Sequence, residues 1–359
     1  MKHSLKPPTI TDVARSAGVS IGTVSRVLNG YTNITQANFD RVQQAIKELG
    51  YEKCRSAEQL VSRRNGRLAK TGNIGIIYAN MSDAWMSHPL VSAYSIGVER
   101  ACREAGFHAL IEFWGGHDGL PRCVREGKVE GLLIKASRCE PSFLKDVPDT
   151  VPIVSMGLDR PGSHIQQVAP DNRGGGWAVT EYLWELGHRR IAFVCNDRVH
   201  PMFLARFQAY EEFMRSKHAF SLALCALSDL DASGKTPEAT PPDMSNVARE
   251  LLSGEGRDIT AIIATNDWIA HGLYSALAEM KLSIPNDISI VGFDNTISIC
   301  TSLRPQLTSY AIPFGEVGYV AAQKLFERIN NPSSVWDKSL HLIRGDVVER
   351  ASVKRLKTP

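Results

Sequence analysis

Nowhere in its 359 residues does the chain string together the roughly 18 apolar residues that crossing a bilayer requires, so a membrane span is not expected. Cysteine is sparse. The seven, at 54, 102, 123, 139, 195, 225 and 300, contain no C-x-x-C pair, which speaks against a zinc site and a disulfide framework and leaves them as reduced thiols. Catalytic signatures are missing as well: there is no G-x-S-x-G, no P-loop and no H-E-x-x-H, and "DNRGGGW" opens a helix without a dinucleotide fingerprint. Neither an enzyme, a metal site nor a cofactor is therefore expected, and His188 and His271 read as structural or helix-end residues. The amino terminus, "MKHSLKPPTITDVA", has two lysines with no apolar stretch behind them; it does not read as a secretory signal, and a cytoplasmic location is expected.

The length exceeds what one hydrophobic core supports, so two or three domains are expected. Hydrophobic residues at 43% and charged residues at 22% suit a soluble globular protein. The net charge of +3 conceals a polarity: residues 1–70 carry 12 Lys and Arg against 5 Asp and Glu, or +7, and the remainder 29 against 33, or −4. A basic head suggests a polyanionic partner, since Lys and Arg neutralising phosphates supply most non-specific nucleic-acid affinity. A merely solvated charged surface is the alternative.

The head reads as three short helices. Thr9 can cap the first with Asp12 as its capping-box partner, and Ile10, Val13, Ala14 and Ala17 form its apolar stripe. Gly18 supplies a tight exit. Ser20 is placed to cap a second helix, residues 21–28, which Asn29 and Gly30 end, and Thr35 a third, where Phe39, Val42, Ile46 and Leu49 recur at helical spacing before Gly50. Residues 54–72 are basic and lack periodicity, the composition of a linker.

From residue 73 short β-branched runs alternate with helical stretches. "NIGIIY", "HALIEF", "GLLIK" and "PIVSM" read as buried parallel strands, and "RIAFVC", "AIIAT" and "SIVGF" as a second series. Two sets of βαβ units imply two doubly wound lobes, whose ligand sites lie outside the carboxyl ends of the strands, facing each other across a cleft. The Pro-, Ser- and Asp-rich stretch 228–243 should be an exposed loop.

On the second helix Val24 and Val27 face inward while Gly22, Thr23 and Arg26 fall on the other side. Such a compact polar face suits the major groove, where Arg can grip guanine O6 and N7, Thr offers a hydroxyl and a methyl, and Gly permits close approach. Helix, glycine turn, helix is the helix-turn-helix arrangement. The stretch "TITDVARSAGVSIGTVSRVLNG", with "RVQQAIKELGY" after it, resembles the head of the lactose/galactose repressor (LacI/GalR) family of bacterial transcription regulators. The likeness continues through "DNRGGGWAVTEYLWELGHRRIAFV", "AIIATNDWIAHGL", "IPNDISIVGFDN" and "RPQLTSYAIPFGEVGYVA".

That resemblance implies a small all-α helix-turn-helix head on an α/β core of two doubly wound lobes, of the type I periplasmic-binding-protein kind. It implies a homodimeric regulator, most often a repressor, that binds double-stranded operator DNA and answers to a sugar-like effector between the lobes. By position, Ile21, Gly22 and Arg26 match base-reading places, and Thr9, Ser20, Ser25, Asn29 and Thr35 phosphate contacts. Many relatives carry a larger polar residue where Gly22 stands, so Arg26 and Thr23 should do most of the reading. In the hinge, Ala57 and Leu60 match DNA contacts, Leu60 being the minor-groove wedge. Lys53 replaces a common proline, and the tract from Val61 to Gly72 is longer than usual.

In the core, Arg206, Asn266 and Asp294 match polar ligand contacts, and their chemistry suits a polyhydroxylated ligand. Trp85, Trp114 and Trp268 follow predicted strands, where an aromatic face could stack on a sugar ring. The expected domains are 1–53 (head), 54–72 (hinge) and 73–353 (core), with lobe 1 at about 73–170 and 304–330, lobe 2 at about 171–303 and 331–353, and a tail 354–359. Tetramers of the family use an extra C-terminal helix, absent after "VKRLKTP", which favours a dimer. A periplasmic solute-binding protein would share the core but not the DNA-reading head.

Overall fold

Thr9, in extended backbone, accepts the amide of Asp12 on its hydroxyl while its own amide donates to Asp12 Oδ2 at 2.9 Å, and this reciprocal cap starts helix α1 (Ile10–Ala17). Gly18, at φ +62°, ends it in the left-handed region. Ser20 Oγ then accepts from the Thr23 amide at 3.1 Å and starts α2 (Ile21–Leu28); α3 (Gln36–Leu49) follows. The computed structural model describes residues 8–28, 31, 34–51, 71–81, 83–115, 119–136, 138–157, 163–228, 241–333 and 338–356. Two units separate, Met1–Thr71 and Gly72–Pro359.

Val13, Val24 and Val42, one from each head helix, are fully buried, and Ala14, Ala17, Val27 and Ala45 complete the small core. Each such valine contributes about 1.5–3 kcal/mol, and eight-residue helices hold only through packing of this kind. The third helix differs from expectation in two respects. Thr35 makes no side-chain cap bond, and the buried stripe is Val42 with Ala45, while Phe39 and Leu49 are 40% and 38% exposed. Two helices of two turns each are too short to cover the four turns of α3, so its ends project into solvent.

The second unit carries two six-stranded sheets. Strands β1 (Asn73–Ala79), β2 (His108–Trp114), β3 (Leu132–Ala136), β4 (Ile153–Met156) and β5 (Gln166–Pro170) lie in the first. β6 (Ile191–Cys195), β7 (Cys225–Leu227), β8 (Ala261–Ala264), β9 (Ser289–Phe293) and β10 (Thr308–Ala311) lie in the second. β11 (Leu340–Ile343) and β12 (Asp346–Val348) then add one strand to each, giving the orders β11-β5-β4-β3-β1-β2 and β12-β10-β9-β8-β6-β7. All pairings are parallel except β12 on β10. Helices α4 (Pro89–Ala105), α5 (Asn172–Glu185), α6 (Pro201–Ser216), α7 (Ser245–Leu251), α8 (Asp267–Glu279), α9 (Ile297–Ser302) and α10 (Phe314–Asn330) cover the faces. α4 packs on α10 against the first sheet, and α5 on α6 beside the second.

The lobe boundaries differ from those expected. β10 completes the second sheet by pairing with β9, and β11 belongs to the first by pairing with β5, so 304–330 is split between lobes and so is 331–353. Residues beyond 353 also stay with lobe 2: the Leu356 amide donates to Leu186 O at 2.8 Å, and His188 Nε2 lies 3.0 Å from Lys354 O. The chain therefore crosses between lobes three times. The crossings are tied together, since Asp171 N donates to Ile343 O at 2.9 Å and Gly345 N to the Tyr310 hydroxyl at 2.9 Å. A Cβ on Gly345 would lie 2.0 Å from Ala311 O, so only glycine fits. The hinge with Ala57 and Leu60, and Asn29 of the head, lie outside the described residues.

Candidate functional site

Two surfaces collect the candidate residues. In the head, Ile21, Gly22 and Arg26 share the exposed side of α2, Ile21 at 48% exposure. Arg26 has no side-chain partner among the described residues, so its guanidinium is open to an incoming acceptor. Thr23 differs: its hydroxyl is half-buried and 2.9 Å from Ser20 Oγ, part of the cap rather than a free reader. Thr9 is likewise committed to Asp12, which its hydrogen bonds hold below the usual carboxylate range. Thr35 is exposed, and Ser25 half-buried. A Cβ on Gly22 would approach nothing nearer than Ser20 Oγ at 3.7 Å, which leaves that position open.

In the core, the carboxyl ends of β3, β6, β8 and β9 converge, the place where doubly wound sheets take their ligands. Arg206, on the first turns of α6, is 1% exposed and is the pivot of lobe 2. Its Nε donates to Asn172 Oδ1 at 3.0 Å, its Nη1 to the Thr265 carbonyl, and its Nη2 to Asp294 Oδ1 at 3.3 Å. Phe293 lies under the guanidinium at 4.5 Å. Burial lowers the Arg206 pKa, and Asp294 opposes that shift. Asp294 itself, at φ +93°, sits in left-handed backbone that a non-glycine residue occupies only when its surroundings hold it, a condition that clusters at functional sites.

Asn266 is brought to the same place, but its Oδ1 accepts from Ile269 N at 2.8 Å and caps α8. Beside it Asp267 is 1% exposed, bound by Ser309 Oγ at 2.7 Å and Thr296 N at 2.6 Å, and burial raises its pKa to about 7. A cavity of about 270 Å³ opens between the lobes, lined by His88, Leu90 and Ala93 of lobe 1, Asp294 and Thr296 of lobe 2, and Phe314 at a crossing.

The tryptophans divide. Trp85 packs at a tilt against His88, which lines this cavity, with ring centroids 4.8 Å apart, and its indole N–H is buried without a partner among the described residues. Trp268 packs on the lobe 2 core, also with an unpartnered N–H. Trp114 does not belong to the cleft: it is 4% exposed, packs edge-on against Phe143, and donates to Gly119 O at 2.7 Å. It sits in a core cluster of lobe 1, where burying an indole is worth more than displaying it.

Sequence reasoning missed most of the lobe 1 wall. Lys135, the fourth residue of β3, is 3% exposed, and Tyr94 of α4 is fully buried with an unpartnered hydroxyl. Arg138, just past β3, pairs across the lobes with Asp197, just past β6. His200, capping α6, is held neutral with a pKa of about 3, by burial first and then by Lys135, Arg138 and Arg206. A charged residue closing an apolar strand run, as in "GLLIK", was the available signal. Among the described residues no group of three or more His, Cys, Asp or Glu is placed to hold a metal ion.

Residues 9–53 match the family described as bacterial regulatory proteins, lacI family, and residues 180–353 the periplasmic binding protein-like domain. The ribose operon repressor of Escherichia coli (strain K12) is 30% identical over 332 residues, spanning 90% of this chain and 94% of that one. The chain belongs to the lacI family. Another relative, the HTH-type transcriptional repressor PurR of Vibrio cholerae serotype O1 (strain M66-2), is 28% identical over 354 residues, covering 97% of this chain and 98% of its own. Among solved structures, a transcriptional regulator CelR–cellobiose complex is similar with a TM-score of 0.65 at 27% identity, covering 96% of this chain and 99% of that one. As a lacI-family protein the chain is a DNA-binding transcription regulator, with a helix-turn-helix head and a two-lobed core made for a small-molecule effector. Among the described residues no helix is long and apolar enough to cross a membrane.

Proposed function

We propose that this lacI-family regulator is a cytoplasmic repressor that binds a near-palindromic operator as a homodimer and is controlled by a sugar-like effector held between the lobes. Residues 1–53 form the reading head, 54–72 the hinge with Ala57 and Leu60 at the minor groove, and the remainder the effector core. Arg26 reads a base, Ile21 and Gly22 permit close approach, and Ser20, Thr35, Ser25, Asn29 and Thr9 face phosphates. Thr23 acts through the cap it shares with Ser20. In the cleft, Asp294 accepts from ligand hydroxyls, Arg206 holds Asp294 in place, and Trp85 lends an apolar face beside the cavity.

The observation that carries this assignment is the Arg206–Asp294 pair at 3.3 Å, with Arg206 buried and Asp294 held in left-handed backbone, a quarter exposed and lining the cavity. Such an acceptor suits paired hydroxyls. A named complex with cellobiose and a ribose operon repressor among the relatives support a sugar. The test is selection of bound duplexes from a random-sequence library by the full-length protein, followed by titration of the selected duplex with ribose, cellobiose, glucose, galactose and their acid and phosphate derivatives. A two-fold symmetric site whose affinity changes with one of these sugars is expected. An asymmetric site would overturn the homodimer.

A further inference from the structure

The charges that meet between the lobes are not paired one to one. Arg206 is answered by Asp294, and Arg138 by Asp197. Asp267 is turned into lobe 2, toward Ser309, Thr296 and Cys300. Lys135 is left over: 3% exposed, its ammonium donates to the Ala136 carbonyl at 3.0 Å, and among the described residues no carboxylate pairs with it. Next to it the Tyr94 hydroxyl is buried with no partner among the described residues, its ring centroid 6.0 Å from the ammonium. Gly157, at φ +85° just past β4, keeps the spot clear, since a Cβ there would fall 2.4 Å from Tyr94 Oη and 3.2 Å from Lys135 Cδ. Two buried donors, one cationic, thus stand side by side at the carboxyl ends of the first sheet with one carbonyl between them.

A buried charge without a counter-charge is costly, and a protein keeps one where something else supplies the counter-charge. Burial brings Lys135 down to about 8, which still leaves most of it charged at neutral pH.

We propose that the effector is a sugar acid, whose carboxylate pairs with Lys135 and accepts a hydrogen bond from Tyr94 while its hydroxyls meet Asp294; this rests on the reading of the cleft as a sugar site. One unmatched cation calls for one negative charge. A neutral sugar leaves Lys135 unpaired, and a phosphate dianion exceeds what the site offers.

Thermal melts and calorimetry on the full-length protein test this with D-glucuronate, D-galacturonate and D-gluconate, with D-glucose and D-galactose as neutral counterparts and D-glucose 6-phosphate as the phosphate arm. At least one acid should raise the wild-type melting temperature and bind about tenfold or more weakly to Lys135→Met, and less weakly to Tyr94→Phe, which keeps the ring. Without ligand, Lys135→Met should melt above wild type, because an apolar chain of similar length replaces an unpaired charge. A lower melting temperature for that variant would make Lys135 a structural cation and overturn the proposal. Neutral sugars binding wild type and Lys135→Met equally would overturn the acid but leave the sugar site standing. A response to the phosphate alone would overturn the carboxylate, and silence from every probe would remove the sugar site itself.

Discussion

The two walls of the cleft are prepared differently. In lobe 2 three of the groups brought together have partners before any ligand arrives: Arg206 has three acceptors, Asn266 caps α8, and Asp267 has three donors. In lobe 1, among the described residues, Lys135 has a single carbonyl, and neither the Tyr94 hydroxyl nor the Trp85 N–H has a partner. A satisfied network fixes geometry, whereas unsatisfied buried donors gain most when a ligand provides acceptors. Lobe 2 is thus the rigid template and lobe 1 the wall whose energy changes on binding. The head repeats the division on a smaller scale, with Ser20 and Thr23 tied to each other and Arg26 without a side-chain partner among the described residues.

The largest effect should come from breaking the template. Arg206→Ala leaves Asn172, Asp294 and the Thr265 carbonyl without their buried cation, and should destabilise the core by about 3–5 kcal/mol in denaturant melts. A loss no greater than that of an average surface change would erase the contrast between the walls. Arg26, whose side chain has no partner among the described residues, should behave in the opposite way. Arg26→Ala is expected to leave thermal stability alone while costing about 1–3 kcal/mol at the selected operator and little on random DNA. Equal losses on both would assign Arg26 to phosphate contact.

Two buried titratable groups of lobe 2 give effects of opposite sign with pH. Asp267, raised to about 7, binds its proton more tightly folded than unfolded, so its contribution is greatest below pH 4 and falls as pH rises through 7. His200, lowered to about 3, resists protonation when folded, so its contribution is complete above pH 6.5 and falls as pH drops toward 3. Against wild type, Asp267→Asn should gain melting temperature as pH rises from 4 to 7, and His200→Gln should gain it as pH falls from 6.5 to 4. Parallel curves for either variant would mean that the group does not titrate in that window. The smallest effect is at Gly22, where the space beside its Cα is open: Gly22→Ala should stabilise the head by about 0.5–1 kcal/mol. A destabilised head would show that the exposed face of α2 is more crowded than its geometry implies.

Much of this architecture could be read from the chain because the head and seven apolar strands are locally coded: a capping box, glycine exits and runs such as "NIGIIY" carry their own structure. β5, β7, β10, β11 and β12 could not be read, being partly polar, as in "QQVAP" and "TSYA", or only three residues long, as in "CAL". Their partners, not their sequences, make them strands. The same limit applied to the site. Arg206, Asn266 and Asp294 came from family likeness, while Trp114 has the same local setting as Trp85, and only Phe143 and Gly119 decide that it is core. Lys135 reads as a strand end until Tyr94 and Gly157, from distant parts of the chain, enclose it.

The triple crossing of the core has a consequence for the order in which the protein can be made. The helices of the head end at residue 49, so the head can fold soon after it leaves the ribosome. Neither lobe can do so. α10 belongs to the first lobe but is translated after the strands of the second, and the last strand of each sheet arrives only at residues 340–348. Until then β5 and β10, both buried in the finished protein, present bare edges, the kind of surface that pairs with a neighbouring chain. A nascent regulator therefore passes through a stage in which its DNA-reading part is finished and its sensing part is adhesive, and truncations short of β11 should yield aggregates rather than unregulated binders.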